Sequence, residues 1–403
     1  MSDPRRAPSA PVRYTRDSPE YAQFRPYLAL EPSDNAPILI EGILQTWSQL
    51  DNNTSGPWYE RSLPAAFRRD FLWIPGLEAY ATASADAIAV SIRSEAWERL
   101  LKFKRSFSSL EFKQKIALLR LLGMLGFYRD NAELLRGEGA TRGPLDVRKA
   151  EMEYLRANNQ VLLDEPGLQQ DYSVMYSVAE RAAPGTAIRF LAAVKSMTLY
   201  AEHGQNHERL RAAERIASET LAQQRTRVPP SAYLSMESRY WRTVSYLPFL
   251  DGDVAEVDRR LDRAEDSARR AMAVGSLEEA AFARDILYAV LATRTTTDVR
   301  TRRHARALPR LAEMVAMDPC GAWQRLWRGI VYFELGRLEE ARENLLMSVR
   351  LAPPGLGKIC AWLDRCLEGL NRHEEAARWR KRAAMTSPAG ATGAAVEREN
   401  GRP

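Results

Sequence analysis

From about residue 94 to residue 386 the apolar positions recur every three to four residues, the spacing that lines one face of a helix. The segment 94–107 sets Trp97, Leu100, Leu101 and Phe103 at that spacing. Ser109 is placed to cap a helix carrying Phe112, Ile116, Leu118, Leu119, Leu122 and Met124. The same period predicts helices over about 146–164, 167–182, 186–203, 206–226, 231–250, 253–274, 277–294, 298–317, 320–335, 338–351, 357–370 and 372–386. Alternating Val/Ile/Thr runs are few, and no Asn-Gly turn separates two of them, so strands are not expected. The connectors are short: Pro184-Gly185, Pro229-Pro230, Asp251-Gly252, Pro319 and Pro353-Pro354-Gly355. Helices joined by short turns fold back as antiparallel hairpins, and hairpins in series stack side by side. The expected fold class is all-α: a stack of helical hairpins behind an irregular helical N-terminal part.

Four segments follow from the pattern. Residues 1–17 carry prolines and arginines with little to bury, and are expected to be a disordered arm. Residues 18–140 read as the irregular helical part, with a loop at 51–57 and a Gly-rich break at 137–144 as the boundary. Residues 145–388 hold the hairpins, and 389–403 read as a disordered tail.

One motif recurs within the hairpins. Gly275-Ser276-Leu277-Glu278-Glu279-Ala280 returns as Gly336-Arg337-Leu338-Glu339-Glu340-Ala341, and again as Asn371-Arg372-His373-Glu374-Glu375-Ala376. Twelve residues after Ala341 and Ala376 stand Pro353 and Pro388. This resembles the tetratricopeptide repeat (TPR), a helix–turn–helix unit of about 34 residues. The best copy is 322–355, with Gly329 and Tyr332 at the family's small residue and tyrosine, Gly336 at the turn and Ala341 at the close helix contact. Arg325 and Arg328 depart from it, standing where the family usually has Trp and Leu. The likeness is close over 320–388, looser over 186–319, and does not extend before about 145.

Charge and chemistry change this picture little. The chain of 403 residues has 58 cationic against 52 acidic side chains, a mild excess of +6. Only eight of the cations are lysines; GC-rich bacterial coding accounts for such an arginine preference. The most uneven stretch, 294–310, sets Arg294, Arg300, Arg302, Arg303, Arg306 and Arg310 against Asp298 alone. Clustered arginines can neutralise phosphates, but no DNA-reading motif accompanies them, so nucleic acid stays a secondary reading beside a solvated helix face. Three cysteines, Cys320, Cys360 and Cys366, are too few and too unevenly spaced for a disulfide framework or a zinc site; buried free thiols in a reducing cytosol are expected. His203 and His207 are four apart, but Gly204 between them points to a turn rather than a shared face. The Glu pairs 278/279, 339/340 and 374/375 sit in first turns, where carboxylates favour the positive helix end. Gly355-Leu356-Gly357-Lys358 lacks the upstream glycine and following Ser or Thr of a phosphate loop. The longest greasy run, 116–128, is too short to span a bilayer and there is no secretory leader, which reads as a cytoplasmic chain without membrane attachment. No cofactor or metal is expected.

The repeat resemblance implies that first helices line a concave face. In that register Trp323, Leu326, Ile330 and Phe333 would face inward, followed by Lys358, Ala361 and Arg365. TPR clamps that grip a C-terminal carboxylate use Lys and Asn there, and the apolar first copy does not match them. An apolar groove with cationic neighbours suits an amphipathic helix or an extended acidic peptide. The leading expectation is a non-catalytic interaction scaffold binding a protein or peptide partner. Two others stand beside it. One is a ligand- or peptide-sensing regulator touching a polyanion through Arg300, Arg302, Arg303 and Arg306. The other is an enzyme with a site scattered through the N-terminal part. The groove could also be filled by residues 18–140 or by a second copy of the chain, a homo-oligomer.

Overall fold

The computed structural model describes residues 99–386, apart from 101, 125–127, 163–170, 202–205, 318–321 and 351–355. The expected arm, the loop at 51–57, the tail, Cys320, His203 and the prolines at 319 and 353 lie outside the described residues. Among those described, extended pairing is limited to a single parallel bridge between Leu145 and Ala182. Everything else regular is helical, so the fold is all-α. The chain divides into two compact units. The described parts are residues 102–294 and, with Arg99 and Leu100, residues 295–386.

The first unit contains α1 (Phe112–Met124), α2 (Tyr128–Gly137), α3 (Val147–Leu162), α4 (Ser173–Arg181), α5 (Ala187–Leu199), α6 (His207–Gln224), α7 (Pro230–Val244), the short α8 (Tyr246–Leu250) and α9 (Val254–Val274). Sequence neighbours pack together, α4 on α5 and α5 on α6, while α7 packs on α9 across the short α8. The core runs through Ala150, Met175, Ala179, Phe190, Ala193, Met197, Leu210, Ala213 and Ala217. Alanines on facing helices let the backbones approach while Phe190 and the methionines fill the space between them. Side-chain caps close several helix starts. Thr186, Asn206 and Asp253 accept from the backbone N–H of Arg189, Arg209 and Glu256.

Three details differ from the sequence expectation. Ser109 does not cap α1: it ends a 3-10 turn, Phe107–Ser109, and its hydroxyl donates to the Ser106 carbonyl at 2.8 Å. The Gly-rich stretch 137–144 lies inside the first unit. Arg156 donates to the carbonyls of Leu135 (2.7 Å) and Gly139 (2.8 Å), and Arg181 to that of Gly143 (2.8 Å). Helix α10 (Leu277–Arg300) runs through Thr295–Thr297, where a break was expected. The division between the units falls within it, after Arg294. β-branched residues favour a break, but here the Thr293 and Thr301 hydroxyls bond back to the carbonyls four residues earlier.

The second unit continues with α11 (His304–Met317), α12 (Ala322–Glu334), α13 (Leu338–Arg350), α14 (Leu356–Gly369) and α15 (His373–Thr386). The hairpins α12–α13 and α14–α15 pack in series through α13 and α14. Their shared core holds Leu326, Leu345, Val349, Ile359, Leu363, Leu367, Ala376 and Trp379. Each turn uses a left-handed residue, Gly336 at φ 73° and Asn371 at φ 60°. Ala341 and Ala376 are fully buried at the equivalent place in the two second helices. The motif at Gly275 differs: its φ is −82°, and glycine is required there because a Cβ would come within 2.9 Å of the Glu279 Cβ. That turn is closed by a capping box, with Ser276 N–H donating to Glu279 at 2.8 Å and Glu279 N–H to the Ser276 hydroxyl at 3.3 Å. The helix-start role expected for these glutamates holds here, and Glu340 accepts from both Nε and Nη2 of Arg337 at one oxygen, Oε1.

Cys360 and Cys366 are buried free thiols. Burial, then the charge of Glu339, pushes the Cys366 thiol up to about 11, and its Sγ donates to the Leu338 carbonyl at 3.2 Å. Since the thiolate is the nucleophile, folded protein at about pH 8 is expected to resist iodoacetamide at both positions. Mass spectrometry checks this: alkylation of Cys366 as fast in the folded as in the urea-unfolded chain contradicts it.

Candidate functional site

Helix α12 carries Trp323, Leu326, Ile330 and Phe333, and α14 carries Lys358, Trp362 and Arg365. On α14, residues 358, 362 and 365 follow the helical period, which puts them in line along one face. The structure sorts these residues into two roles. Leu326 and Ile330 are buried in the hairpin core, so they shape the surface from beneath and do not themselves offer contact area. Trp323 is 44% exposed, Lys358 and Arg365 are exposed, and Phe333 is half-buried.

Phe333 and Trp362 meet edge to face, ring centroids 5.5 Å apart at 73°. The Arg365 guanidinium lies over both rings, 4.2 Å from Trp362 and 5.2 Å from Phe333. Each such contact contributes about 0.5–1 kcal/mol at an exposed site. A guanidinium laid on rings keeps its N–H edge pointed outward, pre-oriented for a carboxylate. The result is an aromatic surface with a fixed positive charge on top. Trp362 was not singled out from the sequence, although it lies four residues after Lys358 and three before Arg365.

The Arg-rich stretch is only in part the solvated helix face that its sequence suggests. Asp298, 2% exposed, pairs with Arg303 at 2.9 Å and also with Arg310. In the first unit, Arg294 pairs with Asp262 and with Glu265 at 2.5 Å. For Glu265, burial works to raise the pKa, but Arg269 and Arg294 outweigh it and the carboxyl is held below its ordinary value. Arg294, Arg303 and Arg310 are therefore committed to internal ion pairs. Arg300, Arg302 and Arg306 are exposed, and Arg302 adopts the left-handed backbone (φ 58°) of the turn into α11.

Among the described residues, no three His, Cys, Asp or Glu side chains stand close enough together to hold a metal ion. His207 opens α6 and is exposed, and His373 pairs with Glu368 at 2.6 Å. Among the described residues no helix is long and apolar enough to cross a membrane.

No protein-family model matches the chain, and no curated protein matches it. Five chains of solved structures do. One of them, titled MamA AMB-1, is 19% identical over 52% of this chain and 98% of its own length, with a TM-score of 0.28. A likeness at that level leaves the functional reading to the geometry.

Proposed function

We propose that this chain is a non-catalytic interaction scaffold of the TPR-like kind, gripping an acidic peptide or partner helix on the surface made by Phe333, Trp362 and Arg365. Trp323 and Lys358 lie on the same two helices and extend the contact. The observation that carries the reading is Arg365 laid across two aromatic rings. An exposed cation held in one orientation costs little further entropy when it meets a carboxylate. Aromatic and Arg side chains are also the residues that dominate binding hot spots. The small-residue contact at Gly329 and Ala341, and the left-handed turns at Gly336 and Asn371, support the repeat assignment.

The test is capture of partners from the source cell by the tagged chain, with and without nuclease, beside Arg365→Glu and Phe333→Glu. A protein partner that survives nuclease and is lost at least about tenfold with Arg365→Glu is expected, that being the scale of losing one charge-assisted contact. Arg365 is exposed, so this variant is expected to melt within a few degrees of the parent. A nuclease-sensitive set of partners, indifferent to both substitutions, contradicts the reading and favours the exposed Arg300, Arg302 and Arg306 as a polyanion contact.

A further inference from the structure

Arg325 and Arg328 stand one turn apart on α12, at the two positions where the repeat pattern calls for Trp and Leu. Both are half-buried. Among the described residues, Arg325 makes neither a hydrogen bond nor an ion pair, and the charge that acts on it is the like charge of Arg328. Arg328 donates from Nη2 to the Tyr332 hydroxyl at 3.2 Å, its guanidinium 5.5 Å from the ring centre. The Nε of each arginine is buried without an acceptor. Burial and the neighbouring cation together hold Arg325 below the ordinary guanidinium pKa.

Several arginines of similar or deeper burial are matched to acids. Arg294 has Asp262 and Glu265, while Arg303 and Arg310 share Asp298. Two adjacent guanidinium groups left without an acid, with inward N–H groups left without acceptors, are an arrangement completed by an anion from outside. The charge sets its class. A single carboxylate leaves one positive charge unbalanced in a half-buried site, whereas a phosphate group, with about −1.5 to −2 charge at neutral pH, balances both. Tyr332 adds a hydroxyl beside Arg328.

We propose that Arg325 and Arg328, with the Tyr332 hydroxyl, form a binding site for a dianionic phosphate group. The site is independent of the surface around Arg365. The group comes either from free inorganic phosphate or from a small phosphate monoester, which share the same three outward oxygens.

Isothermal titration of the full chain with sodium phosphate, phenyl phosphate and acetate, at one ionic strength made up with chloride, tests it. Saturable binding of one phosphate per chain is expected, with acetate weaker by about tenfold or more. Tighter binding of phenyl phosphate assigns the site to a monoester, and tighter binding of inorganic phosphate assigns it to the free ion. Arg325→Gln and Arg328→Gln are each expected to weaken phosphate by about tenfold or more. Arg325→Met, apolar as the repeat pattern has it, guards against a folding defect. It is expected to melt above the parent without phosphate and to lose the rise in melting temperature that phosphate gives the parent. No saturable phosphate binding, acetate binding as tightly as phosphate, or an unchanged phosphate response in these variants overturns the proposal.

Discussion

Asp298→Ala is expected to lower the unfolding free energy by about 3 kcal/mol, the low end of the cost of breaking a buried ion pair from one side. Asp298 is 2% exposed on the inner face of the last turns of α10, where Arg303 and Arg310 converge on it. Alanine removes the buried acid that both arginines share. Both arginines keep some contact with water, at 22% and 18% exposure, which is why the estimate sits at the low end. Asp298→Asn keeps the shape and an acceptor, and is expected to lose about half as much. The control is Glu340→Ala, whose pair with Arg337 is exposed on both sides and contributes little. Urea unfolding followed by circular dichroism checks all three. A loss for Asp298→Ala as small as that for Glu340→Ala contradicts the internal role and returns Arg303 and Arg310 to the surface charge of the 294–310 stretch.

Gly329→Val is the second large effect, also about 3 kcal/mol, at the upper end of overpacking. A Cβ at position 329 would come within 2.7 Å of the Leu345 Cγ, 2.9 Å of its Cδ2 and 3.2 Å of the Ala341 carbonyl oxygen. Leu345 is fully buried, so it has no free volume to enter, and Ala341 brings backbone rather than a movable side chain. Two further methyl carbons on valine force α12 and α13 apart. Gly329→Ala gives a smaller loss, since alanine returns about 1 kcal/mol of helix propensity. The same urea measurement reads both. Gly329→Val as stable as the parent would show that the helices do not approach as closely as the hairpin requires.

Most of the helices can be read from the sequence because their apolar positions recur cleanly, as α12 to α15 show. The turn at Gly336 was equally plain, since glycine before a run of Leu-Glu-Glu signals a stop and a start together. Helix α2 was not separated from the irregular N-terminal part, and its interior shows why. Asp130 and Asn131 are among its buried residues, held by Lys104 and by the Leu119 carbonyl at 2.8 Å, so the face that packs mixes polar groups with Leu135. A hydrophobic period cannot find a helix that buries polar groups against distant partners. The length of α10 was missed for a related reason: β-branched threonines read as a break, but the Thr293 hydroxyl bonds back within the helix and the Thr295 hydroxyl reaches Met314 on α11.

The candidate surface was legible in part. The register of the repeat brought Phe333 and Arg365 to one place, but the same register put Leu326 and Ile330 beside them. Only packing shows that those two face the core. Trp362 was hidden because an aromatic at helical spacing is usually core, and most of this one is; what matters is that its ring lies under Arg365. The unpaired state of Arg325 and Arg328 could not be read at all. Their departure from the repeat pattern was visible, but the absence of an acid beside them depends on elements far apart in sequence.

The central claim, that the face around Phe333, Trp362 and Arg365 receives a protein partner, is tested most directly by site-specific photo-cross-linking. A photo-reactive amino acid replaces Trp323, whose side chain is 44% exposed at the start of α12, and in a separate sample Val274, 59% exposed in the first unit, as control. Irradiation in the source cell is expected to join one protein partner to position 323, through an acidic segment identified by mass spectrometry, and to lose that adduct when Arg365→Glu is added. The same adducts from positions 323 and 274, or adducts from 323 that persist with Arg365→Glu, would contradict the account.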